Sequence, residues 1–149
     1  MADRPAKMPD MNWLNPYIIV TDMERSIEFY ERAFGFEKRM TMPGEDGKLI
    51  HAEMAYKGNV IMVGSEEPDR NLRAPNSEGG TAVSFYLYVD DVDGFRDKVK
   101  SSGGSGITEL TDQFWGDRTF QITCPAGHQW TFAQNVEDFD PSKAPGGQK

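Results

Sequence analysis

The chain repeats itself at an offset of 69 residues, and this constrains its fold more than any other feature. Tyr17, Val20 and Asp22 recur as Tyr86, Val89 and Asp91, and Gly35, Gly47 and Gly58 recur as Gly104, Gly116 and Gly127. Six identities are a small excess over chance, but each falls at the same point of a predicted strand, helix or turn in both halves. A repeat of this length is one supersecondary unit used twice, not a solenoid period. Two such sheets can face each other and enclose a cleft, the usual place for a small ligand.

The first copy opens on the β-branched run 17–20, a strand signal. Asp22 is placed to cap a helix, and Met23, Ile27, Tyr30 and Phe34 follow at helical spacing until Gly35 stops it. Strands are predicted at 36–42, 49–56 and 59–64, with a turn at 43–47 and a hairpin through Lys57 and Gly58. The second copy reads as a strand at 82–89, a helix capped by Asp91 and carrying Val92, Phe95 and Val99, and strands at 107–110, 118–123 and 129–133. Both have the order β-α-β-β-β. The Pro-, Asn- and Gly-rich stretch between them reads as a linker, 67–80, joining modules 13–66 and 81–135 of one domain, 13–139. Residues 1–12 and 140–149 carry no periodic signal and read as loosely ordered tails.

The formal charge of −8 and pI of about 4.7 argue against nucleic acid or an anionic membrane as partner, since both need a cationic face. A lone cysteine, Cys124, excludes an internal disulfide and a cysteine-based zinc site. No apolar run of signal-peptide length follows Met1 and none is long enough to span a bilayer, so the expected location is the cytoplasm.

Val20-Thr-Asp22-Met-Glu-Arg-Ser-Ile-Glu-Phe-Tyr30 with Phe34-Gly35-Phe36 resembles the opening of the vicinal-oxygen-chelate superfamily: glyoxalase I, extradiol dioxygenases, fosfomycin-resistance enzymes and bleomycin-binding proteins. Val89-Asp-Asp91-Val-Asp93 looks like the start of its second module. Phe114-Trp-Gly-Asp-Arg118 with Cys124-Pro-Ala-Gly-His-Gln-Trp130 is similar to the PhnB-like subgroup. The resemblance covers roughly residues 13–138. It implies an α+β fold of two tandem βαβββ modules forming a curled mixed-sheet cup, and a homodimer. It also implies metal ligands on the first and last strands of both modules, at positions that here hold Asn15, Met62, Ser84 and Thr131. A catalytic divalent ion prefers imidazole, carboxylate or thiolate donors, and none of the four supplies one. The resemblance and this donor set together imply a binding protein with no cofactor, holding a small aromatic or hydrophobic molecule among these four residues, Tyr86, Trp115 and Arg118.

Two histidines remain. His51 and Glu53 lie two apart on a predicted strand and so share a face. They read either as acid–base partners in a rearranged site, with or without a divalent metal, of a glyoxalase-like lyase or isomerase or a dioxygenase-related enzyme, or as a solvent-facing pair. At the offset of 69 their mates are Phe120 and Ile122, which makes that face apolar in the second half. His128 reads as a surface turn residue, and Cys124 as lacking a histidine partner. Phe114 to Arg118 could line the cup mouth and stack on a flat or cationic ligand; alternatively, Trp115 closes the core and Asp117 pairs with Arg118. Tyr86 and Tyr88 share a face with Ser84, and the strand methionines Met40, Met42, Met54 and Met62 suit either an adaptable wall or a core.

Overall fold

The computed structural model describes residues 4–146, which divide into two compact units with the boundary between Glu78 and Gly79. The first contains β1 (Tyr17–Val20), α1 (Met23–Arg32), β2 (Glu37–Pro43), β3 (Leu49–Tyr56), β4 (Asn59–Ser65) and the short helix α2 (Pro75–Glu78). The second contains β5 (Ser84–Tyr88), α3 (Val92–Lys100), β6 (Thr111–Asp112), β7 (Asp117–Thr123) and β8 (Gln129–Asn135). Each forms a four-stranded mixed sheet, ordered β1-β4-β3-β2 and β5-β8-β7-β6. The first strand of each runs parallel to the last, and the other pairs are antiparallel. The fold is the predicted α+β one, with βαβββ order twice.

Local chemistry explains the repeated start of each unit. The Asp22 carboxylate accepts the Arg25 N–H and the Asp91 carboxylate accepts the Gly94 N–H, both at 3.1 Å. Each thereby satisfies a donor left open at the first helical turn. Helix α1 then buries Met23, Ile27 and Tyr30 over the sheet residues Ile18, Val20, Ala52, Met54, Ile61 and Val63, all buried. In the second unit Phe95 of α3 packs on Phe132 and Phe120, with ring centroids 4.5 and 6.4 Å apart. One face of each sheet is thus committed to its helix, and the pleat sends alternate side chains to the open face.

Three readings change in detail. The strand expected at 107–110 is not a ladder: Thr108 is tied to Gln121 by its own N–H (3.0 Å) and through its hydroxyl (2.9 Å), and regular pairing begins only at Thr111. The 67–80 stretch is ordered, with a 3-10 turn at Pro68–Arg70, a bridge between Glu67 and Leu72, and α2. Met11, in the segment read as a tail, is only 8% exposed and packs with Ala55 and Val60, while the Asn12 amide donates to the Val60 carbonyl at 3.0 Å.

The fourth difference decides the geometry of the open faces. The hairpin between β3 and β4 turns through Lys57 and Gly58, since Tyr56 pairs with Asn59. Its counterpart closes between Cys124 and His128 (N–H to carbonyl, 2.9 Å), and so turns through residues 125–127. One extra residue in the turn shifts β7 by one position. Glu53 pairs with Met62, whose counterpart Thr131 pairs with Gln121, so the true mates of His51 and Glu53 are Thr119 and Gln121. A one-residue slip in a strand exchanges its faces. Phe120 and Ile122 are therefore buried on the helix side and say nothing about the surroundings of His51.

Candidate functional site

On the open face of the first sheet, Tyr17, Met62, Glu53 and Met40 form one row across neighbouring strands, and Gly64, His51 and Met42 the next. The Tyr17 ring lies over Gly64, where an added Cβ would stand 2.6 Å from the Tyr17 Cε1 atom. Only a glycine lets the ring cross β4 to reach β3. There the Tyr17 hydroxyl and His51 Nδ1 share a hydrogen bond of 3.0 Å. Tyr17, His51, Met42, Ile50, Ser65, Glu66 and Glu67 line an open cavity of about 560 Å³. Glu53 shares the face of His51, as its spacing predicts, but is drawn toward Arg39 (3.8 Å). The group bound to His51 is Tyr17, which the sequence reading missed. The period-two alternation of β1 offered a signal, but pairing across 34 positions required the register.

The open face of the second sheet is built around Asp117. This residue is 1% exposed, yet its carboxylate collects several donors. The Tyr86 and Tyr88 hydroxyls both donate to Oδ2 at 2.7 Å, and Asn135 Nδ2 donates to Oδ1 at 3.1 Å. Trp115 Nε1 donates to the Tyr86 oxygen at 3.0 Å. Burial pushes the Asp117 pKa up, but hydrogen bonds led by the two tyrosines outweigh it and hold the carboxyl below its usual value. The tyrosines respond in the opposite sense. Burial and the bond to Asp117 raise Tyr86 to about 12, and the bond to Asp117 raises Tyr88. Both rings remain half open to solvent, at 46% and 55%, with centroids 5.6 Å apart and planes inclined at 68°. Phe114 packs edge-on to Trp115, extending the aromatic surface.

Arg118 does not pair with Asp117. Successive side chains of β7 point to opposite faces, and Arg118 takes the helix side, chelated by Asp112 (2.7 and 3.2 Å) and reaching Asp93 of α3 (3.3 Å). This overturns the local ion pair considered above and sets Arg118 on the opposite face of its sheet from Tyr86 and Thr131. Of the four corner positions, Met62 lies on the open face of the first sheet, and Ser84 and Thr131 on that of the second. Asn15 precedes β1 and is locked in a reciprocal pair with Asn12: its amide donates to the Asn12 carbonyl (2.7 Å) and its oxygen accepts the Asn12 N–H (3.1 Å). His128 is no surface residue. It is 6% exposed, its Nδ1 lies 3.7 Å from the Cys124 sulfur, and burial pushes its pKa down to about 4. The turn that shifts β7 thus also gives Cys124 the histidine neighbour the sequence did not disclose.

The chain belongs to the glyoxalase/bleomycin resistance protein/dioxygenase superfamily, whose family model matches residues 11–132. An uncharacterized protein of Mycobacterium bovis, Mb0911c, is 37% identical over 128 residues, 84% of each chain. Among solved structures, TioX from Micromonospora sp. ML1 is 26% identical with a TM-score of 0.66, covering 84% of this chain and 99% of its own. TnmS3, an antibiotic binding protein from Streptomyces sp. CB03234, shares the fold at 20% identity and a TM-score of 0.64, over 87% of this chain and 100% of its own. No helix among the described residues is long and apolar enough to cross a membrane.

Proposed function

We propose that the protein binds and sequesters a small aromatic or hydrophobic compound, without a metal ion. The observation that carries this reading is the half-open aromatic face of Tyr86, Tyr88 and Trp115 around a carboxylate already supplied with hydrogen bonds. Such a surface works by burial and stacking, with no bond made or broken. The donor set at the corner positions supports it: an amide engaged by Asn12, a thioether and two neutral hydroxyls are poor ligands for a catalytic divalent ion. TnmS3 lends support as an antibiotic binding protein of the same fold. The proposal includes a PhnB-like, cytoplasmic homodimer with residues 13–139 acting as one domain. Equilibrium dialysis against broad sets of flat and apolar compounds tests the binding, and light scattering tests the dimer. Failure of every compound to bind at millimolar concentration would refute the reading.

A second reading is a glyoxalase-like or dioxygenase-related enzyme centred on His51 and Glu53. What favours it is the Tyr17–His51 hydrogen bond at the wall of a cavity, where a proton could pass to or from a bound molecule. Stoichiometric metal in protein purified without chelators would support it. A His51→Ala variant that retains every detectable activity would remove it.

A further inference from the structure

The charge on Asp117 has no counter-ion. Its hydrogen-bond partners Tyr86, Tyr88 and Asn135 are all neutral, and among the described residues no Lys, Arg or His forms an ion pair with it. Arg118, the nearest cation in sequence, is held on the other face of the sheet by two further carboxylates. A hydrogen-bonded carboxylate keeps its full negative charge, and burial weakens the screening of that charge by water. The charge also acts on the rings above it. A phenol that donates to a carboxylate gains electron density, which deepens the negative potential of its face, the part of an aromatic ring that attracts cations. Tyr86 and Tyr88 form a corner of two such rings over one carboxylate, half open to solvent.

From this arrangement we infer that the Tyr86–Tyr88–Asp117 corner selects an organic cation: a protonated amine or quaternary ammonium carried on an apolar or aromatic body. The inference rests on the binding function proposed above and names its ligand class. The apolar body stacks toward Trp115 and Phe114, and the cationic head sits against the tyrosine rings. The net charge of −8 steers the same class of molecule toward the protein.

The test is a charge series on a single ring: 1-naphthylmethylamine, protonated at pH 7, its neutral isostere 1-naphthalenemethanol, and 1-naphthoate, each titrated by calorimetry at low salt. The ammonium is expected to bind about tenfold more tightly than the alcohol, and the carboxylate more weakly than both. Asp117→Asn keeps the size of the side chain and removes the charge, while turning one of its two acceptors into a donor. The roughly tenfold preference for the ammonium over the alcohol should therefore disappear, with the ammonium losing far more affinity than the alcohol. If that variant does not fold, Tyr88→Leu serves instead: it should weaken the ammonium about fivefold, with Tyr88→Phe recovering part of the loss. Equal binding of alcohol and ammonium, or an ammonium affinity untouched by both Asp117→Asn and Tyr88→Leu, overturns the cation preference and leaves the binding function standing. If neither the alcohol nor the ammonium binds at millimolar concentration, the cation preference falls, whereas the binding function falls only if the broader dialysis set also yields no ligand.

Discussion

The two sheets share a strand order, a helix, a pair of Asp caps and parallel outer strands, yet their open faces carry different chemistry. In the first, Tyr17 crosses Gly64 to reach His51, and Glu53, on the same face, has a cation in Arg39. In the second, the tyrosine at the matching position of β5 is joined by a second tyrosine, and both converge on a carboxylate whose neighbouring cation is turned away. The difference comes from strand register as much as from composition. A duplicated scaffold fixes where side chains emerge, and a one-residue change in a turn decides which of them emerge together.

Glycines provide the largest way to separate the two copies. Gly47 and its repeat mate Gly116 both have positive φ, 83° and 99°. A Cβ on Gly47 would meet nothing within 4 Å, whereas one on Gly116 would collide with the Glu137 carbonyl oxygen. Gly116→Ala should therefore cost about 3 kcal/mol, combining backbone strain with a steric clash. Gly47→Ala should cost about 1 kcal/mol, the strain alone. Denaturant unfolding of the two variants measures the difference, and equal losses would contradict the asymmetry.

The pH dependence offers the next contrast. The Asp117 pKa is lowered in the folded state, so its contribution to stability is present above the unfolded carboxyl value and is lost as pH falls through the folded one. Tyr86 is raised to about 12, so its contribution is complete below the ordinary tyrosine value near 10 and disappears between about 10 and 12 as pH rises. An ultraviolet titration should show at least one late tyrosinate, and Asp117→Asn should move it earlier. His128 is pushed down to about 4 by burial. Its neutral form therefore stabilises the fold above about 6.5 and loses that effect as pH falls toward 4, which a histidine NMR titration follows.

The caps should behave alike, since Asp22 and Asp91 make the same bond. Replacing either by alanine should cost about 1 kcal/mol, and a marked inequality in thermal unfolding would show that one helix start depends on something other than its cap. The smallest effect is expected at Gly64. Gly64→Ala displaces a half-exposed Tyr17 ring that can swing into solvent, so stability should fall by only about 0.5–1 kcal/mol, the scale of one hydrogen bond. The NMR resonances of His51 should nonetheless shift as the Tyr17 partner leaves.

Much of the fold was legible because its signals are local. Asp22 and Asp91 lie three residues before the N–H groups they cap, and the hydrophobic spacing of α1 and the alternation of β3 are written in adjacent positions. The candidate sites were legible only in part. His51, Glu53, Tyr86 and Trp115 were recognisable as residues of interest, but their partners were not. The bonds from Tyr86 and Tyr88 to Asp117 span 31 and 29 residues, and that between Tyr17 and His51 spans 34. The repeat itself misled at β7, because the extra turn residue at 125–127 is invisible to a fixed offset.

The sequence by itself determined the two modules, their helix starts and most of their strands, since short-range hydrogen bonding and hydrophobic periodicity specify these wherever the chain lies. Only the tertiary structure decided that Arg118 and Asp117 part company, that His51 answers to Tyr17, and that a buried carboxylate ends beneath two tyrosines. Those outcomes depend on strand register and on which face each side chain takes, quantities that reverse with a single residue and are fixed only when the whole sheet pairs.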